Sequence, residues 1–177
     1  EKMNGMNIQM VDVRKQYSKI KDEVNKRIDE ILSSGAFING PAVRSFETNL
    51  TNYLGASKVI PCGNGTDALQ IALMSIGAKA GDEIIVPAFT DVATAEVIGL
   101  LGLKPVMVDV DIQSFNTTAE LIEPHISKKT KAIVPVHLFG QACDMDPILE
   151  LANLHNLYVI EDNAQSLGCT YQKGNGS

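Results

Sequence analysis

The sequence has no tryptophan, and aromatic residues make up only 5% of it, a shortage that by itself excludes nothing. The shortage of positive charge excludes more. Against 21 Asp and Glu there are 15 Lys and Arg, a net charge of −6. Nucleic-acid surfaces draw affinity from clustered Lys and Arg that displace counterions, so a broad surface of that kind is excluded. No apolar run approaches the ~18 residues of a membrane-spanning helix. The first residues, Glu1 to Asn7, are polar and lack the apolar core of a signal peptide. Only three cysteines occur, Cys62, Cys143 and Cys169, an odd number without metal-type spacing. Together these gaps predict a reduced, cytoplasmic, soluble protein with no membrane and no nucleic-acid partner. What is present fits a folded chain. At 177 residues and 45% hydrophobic content it can bury a core and is no disordered segment.

Two patterns divide the chain. In the first third, Val13, Tyr17, Ile20, Val24, Ile28, Ile31 and Leu32 recur at three- and four-residue spacing, the stripe of an amphipathic helix. Gly35 is a natural stop for it. Pro41 suits the first turn of a second helix carrying Val43, Phe46, Leu50 and Leu54 and ending at Gly55. The loop pair Phe37 and Ile38 is either a local packing plug or a contact with a partner chain or ligand, and the plug is the default. From Lys58 onward, short apolar runs alternate with helical stretches. Strands are expected at Lys58–Pro61, Glu83–Val86, Pro105–Val110, Lys131–His137 and Leu157–Glu161. Helices are expected near Asp67–Ile76, Val92–Leu101, Thr118–Ile126 and Pro147–His155. Runs such as Ile84-Ile85-Val86 are apolar throughout, as in strands covered on both faces. The alternation predicts an α/β fold with a parallel sheet.

Ligands of such sheets bind beyond the carboxyl ends of the strands, so the residues just after each strand carry the chemistry. Cys62-Gly63-Asn64-Gly65-Thr66-Asp67-Ala68 is either a phosphate cradle at a helix N-terminus or an ordinary capped turn. It also matches the dinucleotide fingerprint G-x-G-x-x-G/A. That reading wants an acid at the end of the next strand, but Asp82 and Glu83 stand at its beginning. Phe89, Thr90, Asp91 and Thr94 share the next rim, where Asp91 either caps a helix or reaches a ligand, with capping the default. His137 is a ligand, an acid/base or a satisfied rim residue. His125 and His155 read as helix-end residues. Asp162, after Tyr158-Val159-Ile160, can bind Mg²⁺, pair with a cationic ligand or cap a helix. A phosphate cradle, a rim aromatic and an Asp-x-x-Gln pair (Asp162, Gln165) on one edge would together suit a phosphorylated aromatic cofactor with a basic ring nitrogen.

These motifs resemble those of the DegT/DnrJ/EryC1/StrS sugar aminotransferases. The stretches that carry the resemblance are Ser34 to Gly55 (SGAFINGPAVRSFETNLTNYLG), Cys62 to Leu73 (CGNGTDALQIAL), Gly81 to Ile98 (GDEIIVPAFTDVATAEVI), Lys129 to Asp146 (KTKAIVPVHLFGQACDMD) and His155 to Gly168 (HNLYVIEDNAQSLG). The resemblance implies a three-layer α/β fold with a mostly parallel central sheet, the large domain of a fold-type-I enzyme dependent on pyridoxal 5′-phosphate (PLP). It implies transfer of an amino group from glutamate to a keto-sugar nucleotide in polysaccharide biosynthesis, by a homodimer with active sites at the subunit interface. Gly65 and Thr66 match the phosphate-binding turn, Asp162 the carboxylate that pairs with the pyridine nitrogen, and Gln165 the partner of the ring hydroxyl. His137 lies in a family motif but takes no role from it. Asp91, counted among the cofactor-binding residues, stands where the family often has a stacking aromatic, so that either stacking comes from elsewhere or the cofactor is held differently; Phe89, two residues away, either faces the rim or turns into the core.

The family's Schiff-base lysine lies about twenty residues beyond the Asp-x-x-Gln motif. Lys173 is too close to Gln165 to match it. The resemblance therefore implies a helical segment over 1–57 and a partial PLP-binding domain over 58–177, with the later strands and the small domain missing. It also implies that these 177 residues alone are inactive. An NAD-type enzyme and a non-catalytic regulatory module on the same fold are the competing expectations.

Overall fold

The computed structural model describes residues 11–172; the polar start and Lys173 with the glycine-rich tail lie outside them. The described residues fall into two compact units, divided between Pro61 and Cys62.

The first unit contributes two helices, α1 (Val13–Ser34) and α2 (Pro41–Leu54). Asp12 caps α1 through a side-chain bond to the Lys15 amide. Gly35 ends it at φ 64°, a conformation that would cost a residue with a Cβ, and its N–H closes on the Ile31 and Leu32 carbonyls. Neither helix has a fully buried residue. Phe37 and Ile38 are 65% and 89% exposed, so they do not form the expected packing plug. The strand expected at Lys58–Pro61 does not form either. Ile60 is 74% exposed, no strand pairs with the segment among the described residues, and Pro61 has no N–H to offer a ladder.

The second unit is built around β1 (Glu83–Pro87), β2 (Lys104–Val108), β3 (Thr130–Ile133) and β4 (Tyr158–Val159). They form one sheet in the order β2-β1-β3-β4, and all three pairings are parallel. Between them run α3 (Gly65–Ser75), α4 (Val92–Leu100), α5 (Ala119–Ile122), a 3₁₀ turn (Glu123–His125) and α6 (Met145–Leu154).

The period of two along each strand explains the continuous apolar runs. Ile84, Val86, Ala132 and Val134 pack on one face with Leu73 of α3 and Val97 and Ile98 of α4. Ile85, Val108 and Ile133 pack on the other with Ile122 of α5 and Ile148, Leu151 and Ala152 of α6. Helices cover both faces, which gives the three layers. From β1 the chain crosses outward to β2, then back past β1 to β3. The direction of winding therefore reverses between β1 and β3, the kind of switch point beside which open α/β sheets bind their ligands.

Pairing continues past the regular strands. Val134 N–H donates to the Ile85 carbonyl, Ile160 N–H to that of Ile133, Asp162 N–H to that of Pro135, and His137 N–H to that of Asp162. Strands expected to reach His137 and Glu161 therefore end earlier as regular ladder but extend as single bridges. These bridges bring His137 and Asp162 side by side at the rim.

Candidate cofactor site

The turn before α3 is held by Asn64. Its Oδ1 accepts the Asp67 N–H at 2.9 Å, and its Nδ2 donates to Asp67 Oδ2 at 3.0 Å. This reciprocal cap uses one first-turn donor and leaves the amides of Gly65 and Thr66 with no carbonyl a turn earlier to receive them. Those two amides and the Thr66 hydroxyl form an exposed donor set at the positive end of an eleven-residue helix. A Cβ on Gly63 would lie 2.9 Å from Asp67 Oδ2, so a larger residue there would make the capping carboxylate shift. The chemistry of this donor set fits a phosphate.

Asp91 is the N-cap of α4, with Oδ1 accepting the Ala93 N–H at 2.9 Å. One turn in, Thr94 is 1% exposed, and its hydroxyl donates to Asp162 Oδ2 at 3.1 Å. Asp162 Oδ1 accepts the Ala164 N–H at 3.2 Å. The carboxylate is thus held from two sides at the carboxyl end of the sheet, the arrangement that suits a cationic ring nitrogen. Gln165 is exposed, and its Oε1 accepts the Phe139 N–H at 2.9 Å. That bond assigns the amide oxygen and turns the Nε2 donors to the other side. Asp91, Thr94 and Asp162 are brought together. No hydrogen bond or ring contact joins Gly65 or Thr66 to Asp162 or Gln165 among the described residues, so a ligand would have to span from cradle to carboxylate.

Phe89 does not enter the core. It is half exposed, its ring 5.7 Å from Phe115 and 6.4 Å from Phe139. Phe115 and Phe139 both adopt left-handed backbone, at φ 59° and 55°. Such conformations cost about 1–3 kcal/mol each in a residue with a side chain, and they persist only where the surroundings over-determine them. Asn116 does this. Buried beside Phe115, it accepts the Leu138 N–H at Oδ1 (3.1 Å) and donates from Nδ2 to the Gln141 carbonyl (3.0 Å). It thereby clamps the turn that carries Phe139. Sequence reasoning missed Phe115, Phe139 and Asn116, since nothing in a loop pattern marks a left-handed phenylalanine.

His137 is buried and satisfied. Its Nδ1 accepts the Cys143 N–H at 3.0 Å, its Nε2 lies 2.9 Å from Glu161 Oε2, and its carbonyl accepts the Ser166 hydroxyl. The Cys143 side chain and the Glu161 carboxylate pull the imidazole pKa up, to about 9, against the burial that lowers it. The Cys143 amide opposes that pull, because a protonated Nδ1 has no lone pair to offer it. The amide contact argues for a neutral ring with its proton on Nε2, the tautomer we assign from the hydrogen bonds. Of the three readings left open by the sequence, the rim residue fits this arrangement.

Comparison with known proteins follows the same lines. Residues 18–176 match the DegT/DnrJ/EryC1/StrS aminotransferase family. The chain is similar to the UDP-2-acetamido-2-deoxy-3-oxo-D-glucuronate aminotransferase of Pseudomonas aeruginosa, with 46% identity over 93% of this chain and 46% of the relative. It is also similar to the pleiotropic regulatory protein of Geobacillus stearothermophilus, with 45% identity over 94% of this chain and 45% of the relative. Among solved structures, NtdA of Bacillus subtilis with bound cofactor PMP superposes with a TM-score of 0.82 at 39% identity, over 86% of this chain and 35% of that one. The chain spans about half the length of the curated relatives it matches. Fold, motif order and sequence identity agree, and the chain belongs to the DegT/DnrJ/EryC1/StrS aminotransferase family.

Proposed function

We propose that the protein is a PLP-dependent aminotransferase that moves an amino group from glutamate to a keto-sugar nucleotide, and that residues 58–177 supply part of its cofactor site, with 1–57 as a helical segment. The observation that carries this reading is the Asp162 carboxylate, held by Thr94 and Ala164 just past the carboxyl end of β4. When bound, PLP supplies an electron sink for the carbanion at the transferred centre. The residues here serve that chemistry by holding the group. The Gly65 and Thr66 amides and the Thr66 hydroxyl take the phosphate. Asp162 faces the ring nitrogen, where a fixed negative charge favours the protonated form. Gln165 turns its Nε2 donors to the ring hydroxyl. Asp91 has committed Oδ1 to its cap, so Oδ2 is the oxygen it would offer a ligand. The working protein is proposed to be a cytoplasmic homodimer.

The test is direct. Full-length protein titrated with PLP should develop the absorbance of bound cofactor, and glutamate should convert that spectrum. Asp162→Ala should weaken both effects. Binding of NAD without binding of PLP would overturn the reading. The likeness to a pleiotropic regulatory protein supports a second reading, a regulatory module that keeps the fold. PLP binding without any glutamate-dependent change would favour that module.

A further inference from the structure

The geometry points to Thr94 as a positioning residue for the cofactor ring, acting through Asp162. This rests on the PLP reading above. Thr94 is the third residue of α4, and the carbonyl four residues back, to which a threonine hydroxyl in a helix interior can bond, precedes the helix here. The hydroxyl reaches instead across 68 residues of sequence to Asp162 Oδ2, at 3.1 Å. Its side chain is buried, so that carboxylate is what satisfies its hydroxyl. Among the described residues the other carboxylate oxygen is held locally, by the amide of Ala164 two residues on. A local turn fixes one oxygen and leaves the carboxylate plane free to rotate about it. The Thr94 bond removes that freedom, because it ties the second oxygen to a different layer of the fold.

The same geometry gives Asp91 a part. Its side chain caps Ala93, the residue before Thr94, and so fixes the turn from which the hydroxyl projects. Glu161 and Asn163, the neighbours of Asp162 in sequence, are exposed and make no recorded bond to its carboxylate among the described residues. Orientation of Asp162 by the tertiary structure therefore runs through α4. A carboxylate already aimed when the ring arrives loses no orientational freedom on binding, and that difference should appear as affinity for the ring nitrogen.

The experiment compares two probes on full-length protein: PLP, and 1-deazapyridoxal phosphate, which has carbon in place of the ring nitrogen. Thr94→Val keeps the shape and removes the hydroxyl. It should weaken PLP about tenfold, the worth of one hydrogen bond to a charged group, and change the affinity for the deaza probe much less. Thr94→Ser should restore the wild-type ratio between the probes. If Thr94→Val weakens both probes equally, the residue is merely structural and the proposal is overturned. If Thr94→Val does not fold, Thr94→Ser against Thr94→Ala decides by the same ratio. Failure of the wild-type protein to bind either probe would overturn the PLP reading itself, and the positioning role with it.

Discussion

His137 Nε2 and Glu161 Oε2 meet at 2.9 Å where β3 and β4 run out, while the opposite ring nitrogen receives the Cys143 amide. One imidazole thus ties two strand ends to the turn before α6. Replacing it with alanine would leave the buried Cys143 N–H without a partner. His137→Ala should lower unfolding free energy by about 1–3 kcal/mol, measured by denaturant titration. In the wild-type protein, nitrogen NMR at neutral pH should report the Nε2–H tautomer; an imidazolium signal there would contradict the assignment.

Glu83 sits at the other end of the sheet, away from the rim. Its carboxylate accepts from Lys104 Nζ and Ser127 Oγ, and these bonds, Lys104 first, hold its pKa below the ordinary 4.5. A depressed carboxylate stabilises the fold above its unfolded-state value and loses that contribution as pH falls through the folded one. The difference in thermal midpoint between wild type and Glu83→Gln should therefore be full at neutral pH and shrink in acid. A difference that grew on acidification would reverse the sign and refute the argument.

Asn64 closes the α3 cap with both ends of its amide. Asn64→Ala should cost about 1 kcal/mol of stability. It also loosens the turn that presents the Gly65 and Thr66 amides, so affinity for inorganic phosphate or PLP should fall with it. Unchanged binding in a variant of lowered stability would separate the cap from the cradle.

Asp91 can be asked whether it serves the helix or the ligand. Asp91→Asn keeps an acceptor for the Ala93 amide and removes the charge, whereas Asp91→Ala removes both. If capping is its whole role, the asparagine variant should match wild type in stability and PLP affinity, and the alanine variant should lose about 1 kcal/mol. Altered PLP affinity in the asparagine variant, with its stability unchanged, would assign the charge to the cofactor.

The alternation of apolar runs and amphipathic stretches was enough to place β1 to β4 and their helices, because burial on both faces leaves a continuous apolar run and burial on one leaves a stripe. The helix ends at Gly35 and Gly55 were equally legible, since their left-handed caps are a local matter of the missing Cβ. Lys58–Pro61 reads as a strand for the same local reason, yet a strand exists only where a partner lies alongside. Candidate residues were recognisable as single positions: Asp91, His137, Asp162 and Gln165 after strands, and Thr66 in the turn that opens α3. Their relations to one another were not. Nothing in sequence spacing ties Thr94 to Asp162 or Phe139 to Gln165, and nothing announces that Asn116 clamps a turn more than twenty residues away. By itself the sequence determined the elements, the α/β class and the candidate residues, all of which follow from local periodicity and side-chain chemistry. The tertiary structure alone decided which side chains orient which, because hydrogen bonds across layers depend on where the sheet order brings distant strand ends together.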